Sequence, residues 1–301
     1  MGTPNATPRP RPERCTTPDG LDLAVYEFGG HGPDIVLVHA TGFCAATLGP
    51  LAHNLGRHYR CWGLDLRGHG RSDRPPDGNF AWAGFATDVL TVIDHLGLDQ
   101  PSGFGHSCGG AAILLAEEAR PGTFSSMYCF EPVVMPASAR ALVMKKNPLA
   151  EGARRRRETF PSAADAFVNF SSKPPFSDLD PEALRLYIDG GFEIVPSDAG
   201  GDGLAIRLRC RREDESVVYA EAAHHEAFSH LHDIGCPVTV SCGELTDAFG
   251  PLLRDAVADQ LPDARVETLI GLGHFGPLQQ PPAVAASVLR AMGTVPGTPP
   301  S

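Results

Sequence analysis

The chain has 301 residues, 42% of them hydrophobic, and its 36 acidic against 25 basic residues give a formal net charge of −11. This length allows one large domain with an insertion or two small domains. The negative charge argues against nucleic acid or an anionic membrane surface as the main partner. No apolar stretch approaches the roughly 18 residues of a membrane helix. The N-terminus lacks the apolar core of a signal peptide, so we expect a cytoplasmic protein.

The predicted elements alternate between short apolar runs and amphipathic helical patterns. This alternation is typical of an α/β fold with a mostly parallel central sheet flanked by helices. Helical patterns include FATDVLTVIDHLG, CGGAAILLAEEAR and FGPLLRDAVADQL. The predicted strands, in chain order, are LDLAVYEFG, DIVLVHA, RCWGLDL, SGFGHS, SSMYCFEP, PVTVSCG and RVETLIG.

The alternation stops between residues 135 and 232, where no convincing strand pattern occurs. We predict a helical lid inserted there, which divides the core into residues 14–134 and 233–292. The basic run RRRR inside this segment is interpreted as a solvated helix face, with a docking patch for an anionic substrate as the alternative. The Pro-, Thr- and Gly-rich ends, 1–13 and 293–301, are predicted to be disordered tails.

Eight cysteines are scattered along the chain without any C-x-x-C pair. Several lie inside apolar runs such as SMYCF and CPVTVSC, where a free thiol packs as a small hydrophobic group. A disulfide framework belongs to much shorter secreted chains, so we predict buried, reduced thiols. Their positions are 15, 44, 61, 108, 129, 210, 236 and 242.

The sequence Gly105-His106-Ser107-Cys108-Gly109 has the pattern G-x-S-x-G. It ends a predicted strand and opens a predicted helix, which is the sharp turn that exposes a serine nucleophile. The two glycines allow the close chain approach that such a strained turn requires. The helix that follows directs unpaired N–H groups toward developing negative charge. We therefore predict Ser107 as a nucleophile.

The turn HATGF follows the strand DIVLV, and LDLRGHGRSD follows RCWG. Together with the serine turn, these motifs resemble the lid-bearing members of the α/β-hydrolase family over about residues 20–290. The resemblance implies an oxyanion hole made by one N–H from the early turn and one from the residue after the nucleophile. These donors are Thr41, or Phe43 if the turn is longer, and Cys108. Ala40 stands where the family often has glycine.

A histidine is expected as the base, because imidazole has a pKa near the working pH. His274 in GLGHFGPLQQP follows the last predicted strand and matches the loop that carries the histidine in the family. His39, His69 and His106 also lie in motifs beside the site. We interpret these three as residues for loop hydrogen bonding and packing.

Two acids are candidates for orienting the histidine. Asp247 in SCGELTDAFG follows the strand PVTVSC, the usual place in the family, although the common G-x-x-D spacing is one residue shorter and Thr246 intervenes. Glu131 in MYCFEPVV ends the preceding strand, where some members carry their acid. A buried carboxylate without a partner would be costly, so Glu131 has a role under either assignment. We favour Asp247 and keep Glu131 as the alternative.

No cofactor or metal is predicted. The segment HHEAFSHLH spaces its histidines one residue too far apart for H-E-x-x-H, which places them on different faces of a helix. Neither G-x-G-x-x-G nor a P-loop occurs. We expect a small-molecule substrate, no nucleic acid or membrane partner, and leave a homodimer open.

The resemblance implies a hydrolase that cleaves a carboxylic ester or lactone of a small to medium apolar substrate through an acyl-enzyme. The same residues also serve thioesterases, carbon–carbon hydrolases and cofactor-free haloperoxidases. A ligand receptor of the same fold, with slow or no turnover, is the alternative from another functional class. Epoxide hydrolases and haloalkane dehalogenases are disfavoured, because both need aspartate at the position of Ser107.

Overall fold

The computed structural model describes residues 12–197 and 203–293, and its central feature is a sheet of eight strands. The described residues contain eleven strands, and all except β7, β8 and β9 belong to this sheet. They are β1 (Glu13–Thr16), β2 (Asp22–Gly30), β3 (Asp34–Val38), β4 (Arg60–Leu64), β5 (Ser102–His106), β6 (Ser126–Phe130), β7 (Thr159–Phe160), β8 (Phe192–Pro196), β9 (Leu204–Leu208), β10 (Val238–Gly243) and β11 (Ala264–Leu269). The main sheet has the order β1-β2-β4-β3-β5-β6-β10-β11. β2 pairs antiparallel with both β1 and β4, and the other neighbours are parallel.

Helices cover both faces of this sheet. They are α1 (Gly49–Leu55), α2 (Trp82–Leu96), α3 (Cys108–Ala119), α4 (Ala137–Lys145), α5 (Pro148–Arg155), α6 (Ala163–Ser171), α7 (Pro181–Gly191), α8 (Arg212–Glu221), α9 (Ala227–His230), α10 (Pro251–Ala258), α11 (Gly276–Gln279) and α12 (Pro281–Ala291). Short 3-10 helices lie at Ala45–Leu48, Phe176–Asp178 and Leu231–Asp233. None of the helices in the described part of the chain is long and apolar enough to cross a membrane.

The strand β3 shows why the central strands are apolar throughout. Val36 and Val38 belong to the hydrophobic cluster that includes α2 and α3, whereas Ile35 and Leu37 belong to the cluster that includes α1 and α12. Successive side chains of a strand point to opposite faces, so a sheet covered on both faces needs apolar residues at every position. The carboxyl ends of these parallel strands lie at one edge, where the loops that follow them meet.

The segment between β6 and β10, residues 135–232, is called the inserted segment below. It contains α4 to α9 and a second, antiparallel sheet of order β7-β9-β8. The prediction that this segment lacks strands is therefore wrong. Its strands have only two, five and five residues, and they pair within the segment, so none produces a long apolar run. Whether the segment acts as a lid stays a prediction.

The α/β fold with a mostly parallel sheet is confirmed, and each of the seven predicted strands has its counterpart in the main sheet. The edge strand β1 was not predicted, and it places Glu13 in the sheet rather than in a tail. The rest of the predicted tails, residues 1–11 and 294–301, lie outside the described residues. All eight cysteines are free and buried, as predicted.

Candidate active site

Ser107 occupies a strained turn between β5 and α3. Its backbone has φ 56° and ψ −113°, a conformation that residues other than glycine rarely adopt. A Cβ on Gly105 would lie 2.4 Å from the Gly109 carbonyl oxygen, and a Cβ on Gly109 would lie 2.2 Å from the Val38 carbonyl oxygen. Only glycine fits at both positions, so the G-x-S-x-G pattern has a steric cause here.

Backbone hydrogen bonds hold the strained residue in place. The Ser107 N–H donates to the Phe130 carbonyl at 2.9 Å, and the Ser107 carbonyl accepts the N–H groups of Ala111 and Val133, both at 3.2 Å. These bonds join the turn to the end of β6 and to Val133, just before the inserted segment. The site therefore has a rigid base formed by β5, β6 and α3.

His274 follows β11 and lies against the serine turn. The Nε2–H of His106 donates to the His274 carbonyl at 2.8 Å, and the two rings lie 5.2 Å apart. Burial, together with the nearby His274 ring, lowers the pKa of His106 well below its ordinary value, which keeps His106 neutral. His106 thus fixes the position of the His274 backbone beside Ser107. Among the hydrogen bonds of the described residues, none joins the Ser107 hydroxyl to His274.

The acid beside His274 is Glu131. Its Oε2 lies 2.6 Å from Nδ1 of His274. The same oxygen accepts the Thr246 hydroxyl at 2.8 Å, and Oε1 accepts the Gly243 N–H at 2.9 Å. Glu131 is only 1% exposed and has φ 47°, a second left-handed residue at the edge where β6 ends. The donors around both oxygens offset the cost of burying a carboxylate.

The structure corrects the preference for Asp247. Asp247 is exposed, and none of the hydrogen bonds or ion pairs among the described residues joins it to His274. Thr246, one residue earlier, is the side chain of this loop that reaches the site, where its hydroxyl donates to Glu131. The extra residue in GELTD therefore leaves Asp247 beyond the position from which it could contact the imidazole.

Two backbone N–H groups remain as candidates for an oxyanion hole. The Phe43 N–H donates to the Ala40 carbonyl at 3.1 Å and closes a tight turn around Gly42, whose φ is 79°. This bond occupies the Phe43 N–H and leaves the Thr41 N–H as the candidate donor on this side. On the other side Cys108 is the first residue of α3, where the N–H groups have no partner within the helix. Burial raises the pKa of the Cys108 thiol, and the Thr41 side chain offsets part of this rise, which makes the two candidates neighbours.

The remaining polar residues of these motifs have structural contacts. His39 donates Nδ1–H to the Ala40 carbonyl at 2.8 Å and accepts the Leu66 N–H on Nε2 at 3.1 Å. The Asp65 carboxylate accepts the N–H groups of Ala45 and Arg71 at 2.7 and 2.8 Å. These contacts fix the loops behind the site.

A group of aromatic rings packs beside His274. Phe43 lies 5.6 Å from Phe275 and 5.7 and 5.2 Å from two rings of the inserted segment, Phe176 and Tyr187. The Phe275 ring in turn lies 5.0 Å from His274. Through these contacts the inserted segment forms an aromatic wall with Phe43 and Phe275 next to His274. Ser107 itself is 8% exposed.

Thr246 and His106 are the two residues of the site whose roles the sequence did not reveal. Thr246 stands at the fourth position of G-x-x-D, where the family commonly has its acid, and this substitution was the available signal. His106 gave no signal beyond its place inside G-x-S-x-G. Its bond to the His274 carbonyl joins residues 168 positions apart, which local patterns do not reveal.

The chain is similar to several known proteins. A family model described as alpha/beta hydrolase fold matches residues 35–281. Esterase YbfF of Escherichia coli strain K12 is 22% identical over 260 residues, which cover 85% of this chain and 91% of that protein. N-formylmaleamate deformylase of Pseudomonas putida is 31% identical over 128 residues, which cover 42% of this chain and 47% of the deformylase. The chain thus matches about half the length of the deformylase.

Among solved structures, E-2-(acetamidomethylene)succinate hydrolase is similar, with a TM-score of 0.77. The alignment covers 94% of this chain and 98% of that one at 19% sequence identity. A likeness at this level of identity shows a shared fold, and function has to be argued from the site.

Proposed function

Because the chain belongs to the α/β-hydrolase family, we propose that it is a serine hydrolase that cleaves a carboxylic ester or lactone of a small to medium apolar substrate. Ser107 is the nucleophile, His274 the general base and Glu131 the acid that orients it. The backbone N–H groups of Thr41 and Cys108 bind the oxyanion.

The contact between Glu131 and His274 carries this proposal. A carboxylate that accepts the Nδ1–H of an imidazole fixes the tautomer in which Nε2 has a free lone pair, as a general base requires. The imidazole belongs to the loop that His106 ties to the serine turn by its 2.8 Å bond. Catalytic hydrogen bonds are often completed only when substrate is bound, so the lack of a bond between the Ser107 hydroxyl and His274 among the described residues is compatible with this assignment.

The reaction has two steps. The Ser107 oxygen attacks the carbonyl carbon while Nε2 of His274 takes the hydroxyl proton, and the carbonyl oxygen becomes an oxyanion between the two N–H groups. Collapse of this intermediate expels the alcohol, which receives the proton from His274. Water then attacks the acyl-enzyme with His274 again as base, and this releases the acid and free Ser107.

We infer an apolar substrate from the aromatic rings beside His274. Phe43, Phe176 and Phe275 offer aromatic surface close to the reactive residues. Ligand pockets are lined mainly by such groups, with a few polar groups that set orientation. Two of the proteins compared above are named for acting on an N-formyl and an acetamidomethylene compound, so amides belong in the same substrate screen.

A fluorophosphonate probe tests the nucleophile, and a panel of esters, lactones, thioesters and amides tests the reaction. We expect one covalent adduct on Ser107 by intact mass and peptide mapping, and ester turnover that the Ser107→Ala variant loses. The Cys108→Ala variant is the matched control, since it changes the neighbouring side chain and keeps the serine. Absence of an adduct on folded protein would refute the hydrolase. Tight ligand binding without turnover would instead favour a receptor.

A further inference from the structure

An ion pair of the inserted segment lies against the oxyanion turn. A Cβ on Gly42 would lie 2.6 Å from Oε1 of Glu215 and 3.3 Å from Nη1 of Arg156. Gly42 lies between Thr41, the proposed oxyanion donor, and Phe43, which contributes to the aromatic wall. The pair therefore lies against the turn that joins these two residues.

The charge of Arg156 is already compensated. Its Nη1 donates to Oε2 of Glu215, and its Nη2 donates to the Tyr187 hydroxyl at 2.5 Å. Glu215 is 5% exposed. Burial lowers the pKa of Arg156, but Tyr187 and Glu215 raise it more, so the guanidinium stays charged. The Arg156–Glu215 pair beside the oxyanion turn is thus polar and has a net charge of zero.

The first turn of α8 contains a second acid of the same kind. Asp214, 6% exposed, pairs with Arg74 at 2.7 Å. Two adjacent buried acids of α8 therefore each neutralise one arginine, and only the pair of Glu215 contacts Gly42. The other three arginines of the run RRRR are exposed. The half-buried arginine of this run, Arg156, is thus the one whose charge is compensated by Glu215.

We infer that this enzyme, if it is the hydrolase proposed above, takes uncharged acyl groups, and that Glu215 is the residue that excludes anionic ones. An acyl group beside the oxyanion turn lies against the Arg156–Glu215 pair. A carboxylate there would lose its hydration without gaining an unpaired cation, which is costly. Removal of the Glu215 charge would leave Arg156 as a half-buried, uncompensated cation that favours a carboxylate.

The test compares two para-nitrophenyl esters of equal size, the mono-ester of fumaric acid and the ester of fumaramic acid. They differ only in a terminal carboxylate against a terminal carboxamide, and the trans double bond keeps that group away from its own ester carbonyl. We expect wild-type kcat/KM to be at least roughly tenfold higher for the carboxamide. Spontaneous hydrolysis of each ester is subtracted.

Glu215→Gln should move the ratio of the two kcat/KM values by at least about tenfold toward the carboxylate, because an uncompensated charge at this range acts in a medium of low dielectric constant. Asp214→Asn is the matched control. It releases Arg74 from an equally buried acid of the same helix turn, and we expect it to leave the ratio within about twofold. The double variant Arg156→Gln, Glu215→Gln has no charge in the pair, so the ratio should again favour the carboxamide, as in wild type.

The outcomes separate the two proposals. If wild type hydrolyses neither ester faster than Ser107→Ala, the hydrolase proposal fails and the acyl preference fails with it. If wild type hydrolyses the carboxylate as fast as the carboxamide, only the inference about Glu215 is overturned. If Glu215→Gln folds and leaves the ratio within about twofold of wild type, the inference about Glu215 is likewise overturned. If Glu215→Gln does not fold by thermal unfolding, Glu215→Ala, which also removes the charge that compensates Arg156, takes its place with the same expected shift. A wild-type preference for the carboxylate that the double variant loses would show that Arg156 binds anions despite Glu215.

Discussion

Glu131 and His274 are 143 positions apart in the chain, and Oε2 of the acid lies 2.6 Å from Nδ1 of the histidine. The acid comes from the end of β6 and the histidine from the loop after β11, with β10 between them in the sheet. The β10 loop contributes Thr246, which donates to the same carboxylate oxygen. Three neighbouring loops thus meet at one carboxylate.

The first prediction separates the two candidate acids. Glu131→Gln should lower kcat by roughly 10³- to 10⁴-fold, since an amide can donate to Nδ1 and stabilise the wrong imidazole tautomer. Asp247→Asn should change kcat by less than about threefold, because exposed residues without a contact to the site contribute little. Both variants are measured with the same ester, with circular dichroism to show that they fold. An active Glu131→Gln together with an inactive Asp247→Asn would reverse the assignment.

The second prediction concerns Thr246. Thr246→Val keeps the shape of the side chain and removes the hydroxyl that donates to Glu131, so kcat should fall roughly tenfold, the effect of one hydrogen bond to a charged group. Thr246→Ser retains the hydroxyl and should stay within about threefold of wild type. Equal kcat values for the valine and serine variants would show that this hydroxyl does not position the acid.

A residue of this site could be predicted from the sequence where its neighbours in the chain determine its role. The turn around Ser107 was readable because steric demands fix Gly105 and Gly109 within five consecutive residues. His274 was readable because its loop has a family pattern. The choice between the acids was not readable, since it depends on whether Thr246 or Asp247 reaches the imidazole. One residue of loop length decides this, and only the packed structure sets that geometry.

The inserted segment shows the same limit for the fold. The central strands were predicted from continuous apolar runs, which a sheet covered on both faces requires. β7 has two residues, β8 has one buried position and β9 has two, so their apolar runs are too short to distinguish from loops. Likewise, the partial burial of Arg156 within RRRR depends on its partner Glu215, which lies 59 positions later.

The third prediction concerns the thiol next to the nucleophile. Burial is the main cause that raises the pKa of Cys108, to about 12, so the thiol stays protonated at neutral pH and is a poor nucleophile. Iodoacetamide should leave Cys108 unmodified in the folded protein and modify it after denaturation. Cys108→Ala should keep ester turnover within about threefold, because the proposed oxyanion donor is the backbone N–H, which alanine retains. A loss of more than tenfold in a folded variant would assign a role to the thiol itself.

The last prediction is a loss of stability in acid that originates partly from His39. Burial lowers the pKa of this imidazole to about 4, despite the Nδ1–H bond to the Ala40 carbonyl, which raises the pKa. A proton on Nε2 would break the bond from the Leu66 N–H. The unfolded chain takes up the proton near pH 6.5 and the folded chain only near pH 4. The contribution to stability is therefore complete above about pH 6.5 and is lost as the pH falls toward about 4.

The full effect corresponds to about 3 kcal/mol of the free energy of unfolding, and urea denaturation from about pH 7 down to about pH 4.5 measures most of it. His39→Asn keeps a donor for the Ala40 carbonyl and cannot be protonated. The variant should be less stable than wild type at neutral pH, since the Leu66 N–H loses its acceptor, and its stability should fall less steeply with acid. The exposed His53, changed to Asn, is the control and should retain the wild-type slope. Equal slopes for His39→Asn and wild type would mean that His39 does not take up this proton.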